Sequence, residues 1–419
     1  MAEDTEAASG RRNSSSSRTQ PSRLSFLDSL RGLAAAYVLV FHTALVPTPQ
    51  LEIPAWIRPF MMFGGSGVIL FFVISAFSLC LTMDRHQRTG RPLASYMVSR
   101  FFRIAPLFYF LLGITLIRDA WVFGSSHSVT EIAASALFLF NFRPGWETGI
   151  VWASWTIGVE MPFYVVFPFL YATMTGVVGR LTLLAVSLIA WMIFRHALSL
   201  QSLSPEVSGA IQTYSALGFI PTFLIGMLTF DIYQHLSRHR LPNRLGAALI
   251  ASGVLGLSLL ISDLPVATIK FSSTLQALSY SLLLLGCALH APSSLNNALW
   301  QFFGRISYSL YLWHPLIIFA SAPLYQSIYA MAELPLTVRF LLACLWTLAS
   351  VTAISYLSYR SVEQPAIELG KRLIKRLSDG SIDSAQRTRK KVATADPVSF
   401  AAVRSSSDTP LPTDPHKGT

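Results

Sequence analysis

The chain has 419 residues, of which 52% are hydrophobic and only 13% charged, and its formal net charge is +11. An ordinary water-soluble domain carries about 25% charged residues, so the composition excludes that class and points to repeated membrane crossings. The positive excess does not call for a nucleic-acid partner, because the basic residues fall in tails and short loops between apolar runs, where they set topology and meet anionic lipid headgroups.

Residues 1–24 are rich in Ser and Arg and lack an apolar core, so they read as a disordered cytoplasmic segment with no cleavable signal peptide, and the Asn13 sequon within it stays unglycosylated. The first candidate span, 29–47, lies in "SFLDSLRGLAAAYVLVFHTALV" and carries Arg31 at one end and His42 deep inside. Eleven helical steps return to within about 20° of the starting direction after about 16 Å of rise, so the two share a face. Arg31 alone is a routine topology-setting residue and His42 alone a core histidine. Together they mark a polar path, since ionisable groups inside a span are costly and tend to be functional.

The second span, 63–82, leads into a basic stretch ending in "SRFFRIAP", where the third span, 102–122, begins. Arg100 and Arg103 are three apart, hence neighbours on one helical face, and two adjacent guanidiniums suit a phosphate. The run 129–142 is too short for a comfortable crossing and reads as re-entrant or interfacial. In the fourth span, 152–173, "ASWTIGVEMPFYVVFPF" buries Glu160 beside Pro162 and Pro168, as a bent helix lining a cavity would.

Further spans follow at 181–199, 211–233, 245–262 and 271–290. The ninth, 300–320, contains "FFGRISYSLYLWHPLI", which places Ser307, Tyr308 and Tyr311 within two turns of His314. After the tenth, 337–358, "YRSVEQPAIELGKR" reads mostly as a surface helix stop. The rest, 369–419, is a basic, largely disordered cytoplasmic tail.

If 129–142 does not cross, the four basic stretches lie on one side, which favours ten spans with both termini cytoplasmic. The expected fold is therefore an all-α polytopic membrane protein of about ten transmembrane helices around a polar cavity, with the membrane domain at 25–368. Cys80, Cys287 and Cys344 lie in apolar runs without metal-ligand spacing, so they read as buried free thiols and no metal site is expected. On residues alone, His42, Glu160 and His314 suit either catalysis or a proton relay in an exporter.

Six stretches in order, "FLDSLRGLAAAYVLVFH", "VILFFVISAF", "SRFFRIAP", "SWTIGVEMPFYVVFP", "FGRISYSLYLWHPL" and "YRSVEQPA", resemble the acyltransferase-3 family of integral membrane acyltransferases over residues 25–368. The chain departs from that family's pattern at Thr156, Gly158 and Met161, which bears on acceptor preference. No hydrolase-like domain follows the last span, so the chain is similar to the stand-alone members. The resemblance implies transfer of an acyl group, most often acetyl, from cytosolic acyl-CoA to a hydroxyl of a glycan, glycolipid or small secondary metabolite such as a macrolide. In that reading Arg31, Arg100 and Arg103 hold acyl-CoA, the donor co-substrate, with no permanently bound cofactor. His42 acts as general base, Glu160 and His314 assist it, and Tyr308, Tyr311 and Trp155 bind substrate.

Overall fold

A computed structural model of the chain describes residues 24–239, 242–262, 272–290, 292–295 and 297–378. All regular elements among the described residues are helical. The expected disordered terminal segments and the Asn13 sequon lie outside them, except Leu24 and 369–378, the latter helical.

Helix α1, Ser25–Leu45, is long enough at 21 residues to cross a bilayer, at about 1.5 Å of rise per residue. Short α2, Arg58–Met62, runs through a 3-10 turn at Phe63–Ser66 into α3, Gly67–Gln87. Helix α4, Pro92–Val122, starts on a proline, where the missing N–H is harmless, and continues past Pro106. The ambiguous 129–142 run gives only α5, Val129–Ala136, capped by the Ser128 hydroxyl on the Glu131 N–H (3.2 Å), and a 3-10 turn at Phe140–Phe142. Eight residues rise about 12 Å, well short of a crossing.

Helices α6, Trp155–Thr173, α7, Gly176–Ser199, α8, Pro205–Tyr214, α9, Ala216–Leu236, α10, Asn243–Ile261, and α11, Ser272–Leu289, follow. The ninth predicted span is broken at Ile306 into α12, Ala298–Arg305, and α13, Ser307–Ala320. After α14, Ala322–Tyr329, helix α15, Leu336–Ser358, passes through a π turn at Tyr359–Glu363 and stays helical to Ser378.

Among the described residues eight helices are long and apolar enough to cross a membrane. The two predicted spans outside that set are α1, which carries Asp28, Arg31 and His42, and the broken α12–α13 pair. Many large apolar side chains face outward, among them Val178, Ile189, Met192 and Ile193 on α7. A contiguous apolar exterior of that kind suits hydrocarbon, not water.

The core is aromatic. Phe163 of α6 stacks on Phe223 of α9 at 4.0 Å between ring centroids, and Phe72 of α3 tilts against the same ring at 4.8 Å. Helix α1 packs so tightly on α12 that glycine is required on both sides. A Cβ at Gly32 would stand 2.6 Å from the Trp300 carbonyl oxygen, and one at Gly304 would collide with the Asp28 carbonyl. That close approach fixes the wall on which Arg31 sits. The one strongly buried charge in α7, Arg180, pairs with Asp231 of α9 at 2.9 Å and donates to the Met227 carbonyl at 2.7 Å, a structural tie between two helices.

Candidate active site

A cavity of about 520 Å³ opens among α1, α3, α4, α6, α13 and the extension of α15. Its wall carries six basic side chains, Arg31, Arg85, Arg100, Arg103, Arg305 and Lys371, against two acidic ones, Asp28 and Glu160. A low-dielectric pocket with that imbalance concentrates anions.

The basic residues are held in different ways. Arg31 donates to the Ser78 hydroxyl at 2.8 Å and sits 3.4 Å from the Asp28 carboxylate one turn before it. Arg103 donates to Glu363 Oε1 at 2.5 Å, and Ser309 donates to the other carboxylate oxygen at 3.0 Å. Arg100, one turn before Arg103, donates to the Ser99 hydroxyl at 3.2 Å, stands 5.9 Å over the Tyr164 ring and keeps a buried Nε without a hydrogen-bond partner among the described residues. The spacing that made these two arginines look like one clamp therefore gives one arginine tied to a carboxylate and one with a donor to spare.

Glu160 accepts from the Ser75 hydroxyl at 2.6 Å and from the Tyr164 hydroxyl. Tyr164 stands four residues after it, the i,i+4 neighbour on the same face. Two neutral donors, with no direct ion pair among the described residues, hold this carboxylate at the cavity wall.

His42 and His314 do not line the cavity. They face each other behind it, with ring centroids 4.7 Å apart, and Tyr311, which does line it, lies 5.5 Å from the His314 ring. His42 Nδ1 is 2.9 Å from the Val38 carbonyl and His314 Nδ1 2.5 Å from the Tyr311 carbonyl. A carbonyl only accepts, so each Nδ1 carries the proton and each neutral ring keeps its Nε2 lone pair as the basic site. The His314 Nε2 is buried and unpartnered among the described residues.

Of the residues singled out from sequence, Arg31, Arg100, Arg103, Glu160, Tyr308 and Tyr311 thus meet on one cavity, with His42 and His314 adjoining it through Tyr311. Tyr308 gives its hydroxyl proton to the Ile104 carbonyl at 2.7 Å, so it is bound into the wall. Trp155 is not on the cavity wall. Its ring packs on Tyr214 at 5.1 Å and Phe219 at 5.4 Å, within the aromatic core.

Glu363 corrects the surface-stop reading of "YRSVEQPAIELGKR", because it is 1% exposed and anchors Arg103 across 260 positions of chain. Asp28, Ser75, Tyr164, Arg305 and Lys371 were also missed; for Tyr164 the i,i+4 spacing to Glu160 was a signal that could have found it. The three thiols are free, Cys80 and Cys287 buried and Cys344 half-buried. Among the described residues no three His, Cys, Asp or Glu side chains gather as a metal site.

Residues 24–356 match the family described as "Acyltransferase domain". The chain is 26% identical over 320 residues to the exopolysaccharide production protein ExoZ of Rhizobium meliloti, covering 74% of this chain and 91% of that one. It is 24% identical to a protein of Bacillus subtilis provisionally named peptidoglycan O-acetyltransferase YrhL, over 81% of this chain and 54% of that one. It is 22% identical to a Staphylococcus aureus protein provisionally named as an O-acetyltransferase, over 81% of this chain and 56% of that one. The chain therefore spans little more than half the length of the last two. No solved structure matches it.

Proposed function

The chain belongs to the acyltransferase family that its residues 24–356 match and is a multi-pass, membrane-integral O-acyltransferase; on that premise we propose that it moves an acetyl group from cytosolic acetyl-CoA to a hydroxyl of a cell-envelope polysaccharide or glycolipid. The observation that carries the donor is the cavity with six basic residues against two acidic ones, which suits the phosphates of coenzyme A. The names of ExoZ and YrhL support a polysaccharide acceptor. In this reading α1 and the α12–α13 pair complete ten spans, both termini are cytoplasmic, and the basic end of the cavity faces the cytosol.

Arg31, Arg100 and Arg103 bind the donor, with Arg100 tied to no carboxylate among the described residues and Arg103 pre-positioned by Glu363. The thioester enters toward Tyr311, where the cavity meets the histidine pair. The acceptor comes from the opposite membrane face and loses its hydroxyl proton to His42 Nε2 as its oxygen attacks the thioester carbonyl. His314 sets the orientation of His42, and Glu160 aligns the acceptor through its remaining lone pairs.

Binding of acetyl-CoA to the purified, full-length protein by calorimetry tests the donor. Wild type is expected to bind, and Arg100→Ala and Arg103→Ala to bind more weakly. A folded wild type that binds neither acetyl-CoA nor other short acyl-CoA species refutes the donor reading.

A further inference from the structure

The six cations of the cavity wall fall into two tiers. Arg31, Arg100 and Arg103 are half-buried, and each donates a hydrogen bond to a neighbouring side chain. Arg85, Arg305 and Lys371 are exposed and have no hydrogen-bond or ion-pair partner among the described residues. The nearest carboxylates in sequence are engaged elsewhere. Asp84 accepts from the Tyr171 hydroxyl at 3.1 Å, Asp28 stands 3.4 Å from Arg31, and Glu368 lines a separate groove with Arg360 and Arg372.

Two helices set the spacing between the tiers. On α3, Ser78 accepts from Arg31, and Arg85 follows two turns later, about 10 Å further along the axis. On the extension of α15, Glu363 accepts from Arg103, and Lys371 follows at about 12 Å. Arg305 ends α12, on the far side of Tyr308 from His314, and Arg103 stands 6.0 Å over the Tyr308 ring. The outer tier is therefore one step further from the histidine pair than the inner one. The wall between the tiers is apolar. Leu81 lies four residues before Arg85 and Ile367 four before Lys371, each on the same helical face as its cation, and both line the cavity. The wall is thus matched to a ligand with two separate anionic groups on one nucleoside.

We propose that Arg85, Arg305 and Lys371 bind the 3′-phosphate of the acyl-CoA donor, while the inner arginines hold its diphosphate. This rests on the donor reading above and deepens it. Coenzyme A carries a diphosphate on the 5′ carbon of its adenosine and a single phosphate on the 3′ hydroxyl, so the ribose separates the two charges. The pantetheine arm then runs inward from the diphosphate toward Tyr311, and the adenosine lies at the mouth against Leu81 and Ile367. A consequence is donor selectivity. Thioesters of 3′-dephospho-CoA, and acyl groups carried on phosphopantetheine alone, lack the group that the outer tier reads and are poor donors. Exposed cations also attract lipid phosphates, but only a site for this donor discriminates by the 3′-phosphate.

The experiment is calorimetry on the full-length protein in phosphatidylcholine nanodiscs, with acetyl-CoA and 3′-dephospho-acetyl-CoA as the two probes. Wild type is expected to prefer acetyl-CoA by about 10–100-fold, the worth of one charge-assisted hydrogen bond. The triple replacement Arg85→Gln/Arg305→Gln/Lys371→Gln should prefer it by less than about threefold, yet bind the dephospho probe within about threefold of wild type. Lys371→Gln alone should remove part of the preference, and Arg100→Gln should weaken both probes alike and keep it. Because the outer cations are exposed, the wild-type preference should also shrink as salt rises from about 0.05 to about 0.5 M. Equal wild-type affinity for the two probes overturns this inference and leaves the donor reading standing, as does a preference that survives the triple replacement. Equal weakening of both probes in the triple variant overturns it too, since it shows general attraction of anions. A folded wild type that binds neither probe nor other short acyl-CoA species overturns the donor reading and this inference with it.

Discussion

The Arg103–Glu363 pair makes an asymmetric prediction about stability. Glu363 is 1% exposed, whereas about a third of the Arg103 side chain (32%) faces the cavity. Removing Glu363 charge by Glu363→Gln leaves a guanidinium that still reaches cavity water, and the amide oxygen can still accept from Ser309. The expected loss is about 1–3 kcal/mol, the range for a charge-assisted hydrogen bond. Removing the cation by Arg103→Met is worse, because it strands a buried carboxylate with only Ser309 to solvate it. That carboxylate must stay charged and unpaired or take up a proton. Protonating an ordinary glutamic acid at pH 7 costs about 3.7 kcal/mol, from about 1.36 kcal/mol per pH unit above a pKa near 4.3, and this caps the penalty within the usual 3–5 kcal/mol for a broken buried pair.

Two signatures follow from that difference. Arg103→Met should destabilise more than Glu363→Gln at pH 7, and its deficit should shrink as the pH falls from about 8 to about 5, where protonating the stranded carboxyl is easier. The double replacement Arg103→Met/Glu363→Gln should lose less than the sum of the single losses, since with Gln at 363 removing the cation strands no charge. Unfolding in mixed micelles titrated with SDS, at several pH values, reads all three. A Glu363→Gln variant less stable than Arg103→Met, or strictly additive losses, would refute the assignment of Glu363 as the buried anchor.

His127 lies in the loop after α4, where its Nε2 is 2.9 Å from Asp119 and its Nδ1 3.1 Å from Glu131. Burial alone lowers its pKa, but hydrogen bonds and charge from Asp119 and Glu131 more than offset this and raise it above the ordinary 6.5. The raised value means that its contribution is full below about pH 6.5 and is lost as pH rises through the folded pKa. Thermal unfolding of His127→Gln should therefore lack part of the wild-type loss between pH 6 and 9, and identical slopes in the two proteins would count against the triad. His42→Gln should abolish acetyl transfer yet leave donor binding intact, because His42 lies behind the cavity wall; transfer persisting in the folded variant would exclude His42 as the base. Gly304→Ala should destabilise and weaken acetyl-CoA binding together, since its methyl collides with the Asp28 carbonyl on the helix that carries Arg31. Wild-type thermal stability in that variant would show that α1 and α12 can separate without cost.

Ionisable residues inside apolar runs were readable because hydrocarbon makes them costly. Arg31, Arg100, Arg103 and Glu160 do converge on one cavity, and the short 129–142 run, read as re-entrant or interfacial, forms only the eight-residue α5 and a 3-10 turn. Glu363 escaped because it follows the last apolar run, and only the π turn at Tyr359–Glu363 carries the chain so that this side chain lies inward against Arg103. Trp155 misled for the opposite reason. An indole against a sugar and an indole against Phe219 look the same in sequence, and the choice is made by packing between α6 and α9.

The break at Ile306 is the feature with the largest consequence for the site. A continuous 300–320 helix would be one more uniform crossing. Instead Gly304 lets α12 press against α1, and α13 starts afresh at Ser307, so Tyr308, Tyr311 and His314 descend one face of a new helix at three-residue steps. The first of these is tied to the Ile104 carbonyl, the second lines the cavity, and the third meets His42 on α1. The same α1–α12 contact that demands glycine therefore sets how α13, with Tyr311 and His314, stands against the α1 face that carries Arg31 and His42. In the proposed mechanism a substitution that widens this approach should displace His314 from His42 and loosen the wall on which Arg31 sits.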